Sequence, residues 1–243
     1  MDEHVYRDMY EQEDRHWWFR GRRAVIWALL GRAGVSGPRR LLDAGCGTGR
    51  NLIEYGVLGE ADGVDPSETA VAACHERGLS RVQRGEIERL PHADAGFDLI
   101  LATDVLEHLD DDAVALAELR RVAAPGATLL VTVPALSRLW SDEDVSLHHR
   151  RRYRRAHLVA GVRAAGFEPV VATYYNTVLL PPIALARKLR TSVPGAVGPS
   201  EIDRSSGRLS GALELPLRGE AALIARGGSL PIGVSVGLAA RAL

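Results

Sequence analysis

The stretch LLDAGCGTGR, residues 41–50, places glycines at 45, 47 and 49 directly after an apolar run. Glycine weakens helices and strands alike, so three in alternation mark a turn that needs positive φ or close approach to its backbone. A strand, a glycine-rich turn and a helix in succession expose backbone N–H donors to a ligand. A tight turn that holds nothing is the plain alternative. The dinucleotide fingerprint G-x-G-x-x-G needs glycine at its sixth position, where this chain has Arg50, which disfavours a nicotinamide-dependent dehydrogenase.

The rest of the chain keeps a regular rhythm around that turn. Apolar runs predict strands at 39–45, 61–65, 80–85, 97–103, 127–134, 168–175 and 232–242. Amphipathic runs with start and stop signals predict helices at 5–30, 50–57, 66–78, 110–126 and 155–166. Strand alternating with helix implies an α/β fold, a seven-stranded and mostly parallel sheet with helices on both faces. The expected organisation is a helical segment at 1–38, a core at 39–176, a cap at 177–230 and a last core strand within 231–243. The cap carries Pro, Gly and Ser clusters around TSVPGAVGPSEIDRSSG and has too little apolar mass for a core of its own. Its apolar pieces at 178–189 and 212–225 fit a ligand with hydrophobic surface, or packing of the cap itself.

Composition narrows the class. The 243 residues suit one domain with an elaboration. A net charge of −1 supplies no global field for nucleic acid. Cys46 and Cys74 are too few for a disulfide framework and lack metal-site spacing, which points to a reducing cytoplasm. The acidic N-terminus reads as neither signal nor transit peptide. The longest apolar stretch, VLLPPIALA at 178–186, is short for a membrane span and holds Pro181 and Pro182. A peripheral membrane contact stays open.

From Asp43 to Gly49 the order D-x-G-x-G-x-G resembles motif I of the class I S-adenosylmethionine-dependent methyltransferases, and further motifs follow in order over about residues 39–170. The resemblance implies a Rossmann-like core, S-adenosylmethionine as cofactor and S-adenosylhomocysteine as product. Asp43, Gly45, Cys46, Gly47 and Gly49 would form the turn at the amino-acid end of the cofactor. Asp65, followed by Pro66, would accept both ribose hydroxyls, as a carboxylate readily does; a helix N-cap role is its structural alternative. In GEIERLP (85–91), Glu86 would meet the adenine amino group and the Ile87 backbone the ring, unless Glu86 is a solvated loop acid. FDLILATDVLEHL (97–109) resembles motif IV, with Thr103 at the cofactor and Asp104 at the reacting centre. APGATLLVTVP resembles the fifth-strand motif.

DRHWWFRGRR (14–23) and LWSDEDVSLHHRRRY (139–153) resemble a bacterial subgroup that is distantly similar to the O-methyltransferases of ubiquinone biosynthesis. The first segment would then be a helical lid over the cofactor. It would bring Trp17 and Arg20 to the cofactor, Trp18 to the substrate entrance and His16 to the chemistry. Trp17 or Trp18 beside the sulfonium would act through cation–π attraction; docking of an amphipathic helix explains the same aromatics. The second segment resembles W-S-x-H-D-x-x-L-x-H-x-R-R-Y, with Glu143 where the pattern has histidine and His148 as an additional histidine. His149 is the first candidate for general base, with a surface histidine pair as the alternative. Arg152 and Tyr153 are candidate substrate contacts. They lie in a basic run from Arg150 to Arg155 that is either a solvated face or an anion fork.

Asp104-x-x-Glu107-His108 with a later histidine also resembles the metal site of some methyltransferases. Metal-free members carry similar residues that shape the cofactor pocket. A divalent ion on Asp104, Glu107, His108 and His149 is thus an open alternative and not the favoured one. These readings converge on methyl transfer to a small or lipid-like acceptor, oxygen ahead of nitrogen or carbon, by a monomer or homodimer. The competing reading is a cofactor-binding protein with other chemistry, or a non-catalytic sensor or partner.

Overall fold

The structure, a computed structural model, describes residues 3–37, 39–191 and 210–243. Its strands are β1 (Arg39–Ala44), β2 (Gly59–Asp65), β3 (Val82–Arg84), β4 (Phe97–Thr103), β5 (Ala123–Pro134), β6 (Phe167–Tyr175) and β7 (Ser235–Ala242). They form one sheet in the order β3-β2-β1-β4-β5-β7-β6. The first five strands pair in parallel, and β7 runs antiparallel between β5 and β6. This is the expected seven-stranded, mostly parallel α/β fold. Strands covered on both faces read as continuous apolar runs rather than alternating ones, which is why LILAT in β4 and TLLVTV in β5 are buried almost throughout.

The helices are α1 (Glu3–Gln12), α2 (Trp17–Arg32), α3 (Arg50–Tyr55), α4 (Glu68–Glu76), α5 (Asp112–Val122), α6 (Asp142–Ser146), α7 (Arg155–Ala164), α8 (Leu180–Thr191) and α9 (Ser210–Ala225). One face of the sheet is covered by α5 and α7, through Leu116, Leu119, Leu158 and Val162 against Ile100 and Leu129. The other is covered by α2, α3 and α9, through Leu29, Leu52 and Leu217 against Leu41 and Leu101. Gly21 lets α2 and α9 approach: a Cβ there would lie 2.4 Å from Leu217 Cδ1.

Two expected elements are corrected. The helix predicted over 5–30 is two helices, because the chain turns at Glu13–Arg15 and restarts at His16. The His16 ring caps α2 by accepting the Trp18 N–H at 3.2 Å. The helix predicted to run to Gly126 stops at Val122, and β5 begins at Ala123, which pairs with Phe97. Pro125-Gly126 is therefore an irregularity within the strand and not a helix stop; Gly126 takes φ +73° there. Residues 192–209 of the expected cap lie outside the described residues, and α8 and α9 flank them.

From β1 the chain steps outward through β2 and β3, then returns to β4 and steps the other way. In open α/β sheets this reversal leaves a crevice at the carboxyl ends of the two central strands, where ligands bind.

Candidate active site

A cavity of about 600 Å³ opens at that crevice. Its walls run from Asp65, Pro66, Glu86 and Ile87 at one end to Asn176 and Ser235 at the other. The glycine turn follows β1, and Gly45, Gly47 and Gly49 take φ of +83°, +52° and +83°. Cβ atoms on Gly45 and Gly49 would strike Val105 and Leu79 at 2.4 and 2.6 Å, so those two are required by packing. Gly47 instead leaves open backbone towards the cavity.

Asp65 ends β2 and is buried. Its carboxylate accepts the Gly47 N–H at 2.9 Å and the Ser67 N–H at 3.0 Å. A third donor is the Tyr6 hydroxyl, 3.3 Å away. Burial pushes the Asp65 carboxyl up, and these donors oppose it. Tyr6 was not singled out from the sequence; it lies on α1, which crosses this end of the cavity with Met9. Glu13, just after α1, binds the Thr48 hydroxyl at 2.6 Å and Arg77 at 2.5 Å. The Arg77 guanidinium also lies 4.2 Å from the Tyr10 ring centroid.

Three expected cofactor residues do not line the cavity. Gly49 packs behind the turn. Arg20 is turned to α9, where it pairs with Glu214 at 3.1 Å. Asp43 is wholly buried with neither carboxylate oxygen hydrogen-bonded, and burial raises it to about 8. Cys46, Thr103 and Trp17 do line the cavity.

The middle of the cavity holds the chemistry-bearing groups. Asp104 takes φ +56° after β4. Its carboxylate pairs with Arg22 and accepts the Thr132 hydroxyl at 3.0 Å. Arg22 is buried, yet Asp104 keeps it charged. Glu107 is 0% exposed, and neither of its oxygens has a partner; burial raises its pKa well above the carboxylate range. His108 is held down to about 4, by burial first and by His149 second, and the two rings lie 4.8 Å apart. His16 is likewise lowered to about 4 by burial.

His149 Nδ1 lies 2.9 Å from Asp144 Oδ1. Asp144, fully buried on α6, also accepts Arg152 Nε at 2.8 Å and Nη2 at 2.9 Å, and the Ser141 N–H at 2.9 Å. Burial would raise its pKa, but His149 and Arg152 outweigh that and hold it far below the usual range. Arg152 thus forks a carboxylate of the protein itself. Tyr153, expected at the substrate, is not in the cavity wall: its hydroxyl donates to Asp112 at 2.6 Å. Trp18 lines the cavity and stacks on Tyr175, with centroids 6.0 Å apart.

Glu107, His108 and His149 each offer one donor atom, all within 4.8 Å of one another. A carboxylate and two imidazoles suit a divalent cation. Asp104, expected as a further ligand, is outside that cluster because it pairs with Arg22. Sequence reading also missed Arg22, Asp144 and Asn176. For Asp144 a signal was present: Ser141-x-x-Asp144 is a capping box.

The comparisons with known proteins agree with this architecture. The family described as Methyltransferase domain matches residues 42–131. A probable S-adenosylmethionine-dependent methyltransferase of Mycolicibacterium smegmatis is 32% identical over 160 residues, 64% of this chain and 61% of that protein. A malonyl-[acyl-carrier protein] O-methyltransferase of Pseudescherichia vulneris is 31% identical over 158 residues, 60% of this chain and 63% of that protein. Other relatives are named as N-methyltransferases. Among solved structures, the [4+2]-cyclase SpnF is 25% identical with a TM-score of 0.58, covering 90% of this chain and 79% of that one. The matches to the two methyltransferases span less than two thirds of their lengths. Residues 42–131 thus match a methyltransferase domain, set in a seven-stranded sheet of the Rossmann-like methyltransferase arrangement. The relatives that share this segment are named as methyltransferases, among them S-adenosylmethionine-dependent ones.

Proposed function

We propose that this chain transfers the methyl group of S-adenosylmethionine to a hydroxyl oxygen of a small-molecule or lipid-like acceptor, with His149 as general base. One observation carries the reading. A single cavity joins the glycine turn and Asp65 to the His149–Asp144 pair. In this reading the acceptor oxygen attacks the sulfonium methyl carbon in line. The new C–O bond forms as C–S breaks, S-adenosylhomocysteine leaves, and the acceptor's proton passes to the ring nitrogen of His149 that does not face Asp144. Buried Asp144 fixes the ring and stabilises its protonated form, as an orienting carboxylate does for a catalytic histidine. Oxygen is preferred as acceptor atom because a hydroxyl, unlike a free amine, needs such a base. Asp65 would bind the sugar, while Trp17 and Trp18 would border the sulfonium.

A divalent cation on Glu107, His108 and His149 would acidify the same hydroxyl by another route; turnover that survives chelation excludes it. The test of the whole reading is conversion of methyl-labelled cofactor to S-adenosylhomocysteine in the presence of hydroxyl-bearing apolar acceptors. His149→Ala is expected to lower that turnover by about a hundredfold or more with cofactor affinity retained. A second reading has support in the cyclase that shares this fold: the pocket would bind the cofactor and serve other chemistry. Tight binding of S-adenosylhomocysteine with no methyl transfer to any acceptor would favour it.

A further inference from the structure

The far end of the cavity has features that the methyl donor does not account for. Asn176 follows β6 in a left-handed conformation, φ +59°. It is 1% exposed, lines the cavity, and its side-chain Oδ1 has no hydrogen-bond partner. An amide oxygen buried without a partner is destabilising, so the position calls for a compensating donor. The surrounding backbone is held rigidly. Buried Glu220 on α9 accepts three successive N–H groups, from Asn176 at 2.6 Å, Thr177 at 2.8 Å and Val178 at 3.0 Å. The Val234 N–H closes on the Asn176 carbonyl at 3.4 Å. Pro134, Val234 and Ile183 give the cavity wall apolar surface.

Distance follows from topology. Asp104 leaves β4 and Asn176 leaves β6, with β5 and β7 between them. Three strand spacings of roughly 4.8 Å make about 14 Å.

Resting on the methyltransferase reading, we propose that Asn176 forms a recognition subsite for the distal end of an elongated acceptor. The acceptor carries a hydrogen-bond donor, a hydroxyl or an amide N–H, separated from its reacting end by roughly the Asp104–Asn176 span of about 14 Å and joined to it by an apolar body. Asn176 Oδ1 receives that donor. Glu220 is a positioning residue that acts through the backbone.

The probes are decanol, the α,ω-diol of decane and the corresponding ω-hydroxy amide, titrated by calorimetry into protein saturated with S-adenosylhomocysteine. The diol or the hydroxy amide is expected to bind about fivefold more tightly than decanol, and the better of the two identifies the donor. Asn176→Gly, which suits the left-handed backbone and deletes the amide, is expected to abolish the preference while leaving decanol binding intact. Asn176→Asp, which keeps an acceptor oxygen, is expected to retain it. Equal binding of all three probes, no binding of any, or a preference that survives Asn176→Gly would overturn the subsite. Failure to bind S-adenosylhomocysteine at the outset would instead overturn the methyltransferase reading on which it rests.

Discussion

Asp65 already satisfies three donors in this structure, the N–H groups of Gly47 and Ser67 and the Tyr6 hydroxyl. A sugar diol at that carboxylate must share it with Tyr6 or displace it. Asp65→Ala is expected to weaken cofactor binding by at least about tenfold in calorimetry, through loss of charge-assisted hydrogen bonds. Asp43 makes a different kind of contribution. Burial raises it to about 8, so it is mostly protonated at neutral pH. A cationic ligand at the neighbouring turn favours its ionised form, and binding should therefore release a proton. Affinity should rise as pH climbs from about 6 towards 8, by no more than tenfold per unit. Calorimetry in buffers of different ionisation enthalpy measures the release. Asp65 was legible as a cavity residue because it follows the glycine turn at the end of the next strand, whereas Asp43, expected at the same site, is buried outside the cavity wall. Arg22 was not legible, because its partner Asp104 is 82 positions away and no local pattern links them.

At the scale of elements, the strands were legible as apolar runs and most helices from their end signals. The errors fell where a local signal had more than one structural meaning. Histidine is an uncommon N-cap, so the restart of the chain at His16 was hidden within a long amphipathic run. Pro-Gly after α5 resembled a helix stop but forms an irregular strand entry. The cost of a larger residue at Gly21 is predictable from packing: its Cβ would meet the Leu217 side chain of α9. Gly21→Val is expected to destabilise the protein by about 1–3 kcal/mol, measured by denaturant unfolding. The link between α1 and the glycine turn gives a kinetic expectation. Arg77 ties α1 and the turn after it to α4 through Glu13 and the Tyr10 ring. Arg77→Met should accelerate release of S-adenosylhomocysteine in stopped-flow measurements, with a smaller change in association.

For the whole molecule, buried titratable groups pull stability in opposite directions as pH falls. His16 and His108 are lowered in the folded chain from 6.5 to about 4, chiefly by burial, so over that span the unfolded chain binds more protons at these rings and the fold loses stability. Asp43, raised to about 8, and Glu107, raised well above the carboxylate range, bind protons in the folded chain over the same span and oppose that loss. Unfolding free energy is therefore expected to change little between about pH 6.5 and 4 and to fall at lower pH, where the depressed carboxyl of Asp144 must be protonated against His149 and Arg152. Thermal melts across and below that range check this. Among the described residues, no helix is long and apolar enough to cross a membrane.

The antiparallel course of β7 has a consequence for how the protein is made. The cavity-lining groups from Tyr6 to Asp104, where we propose that the nucleoside binds, all belong to the first half of the chain. By contrast, among the described residues β6 joins the sheet through β7, which enters between it and β5, and Val234 and Ser235 arrive with that strand. The side of the cavity proposed to receive the acceptor is therefore completed last. A nascent chain released from the ribosome before its final strand would possess the glycine turn and Asp65 but lack the Val234 and Ser235 portion of the opposite wall.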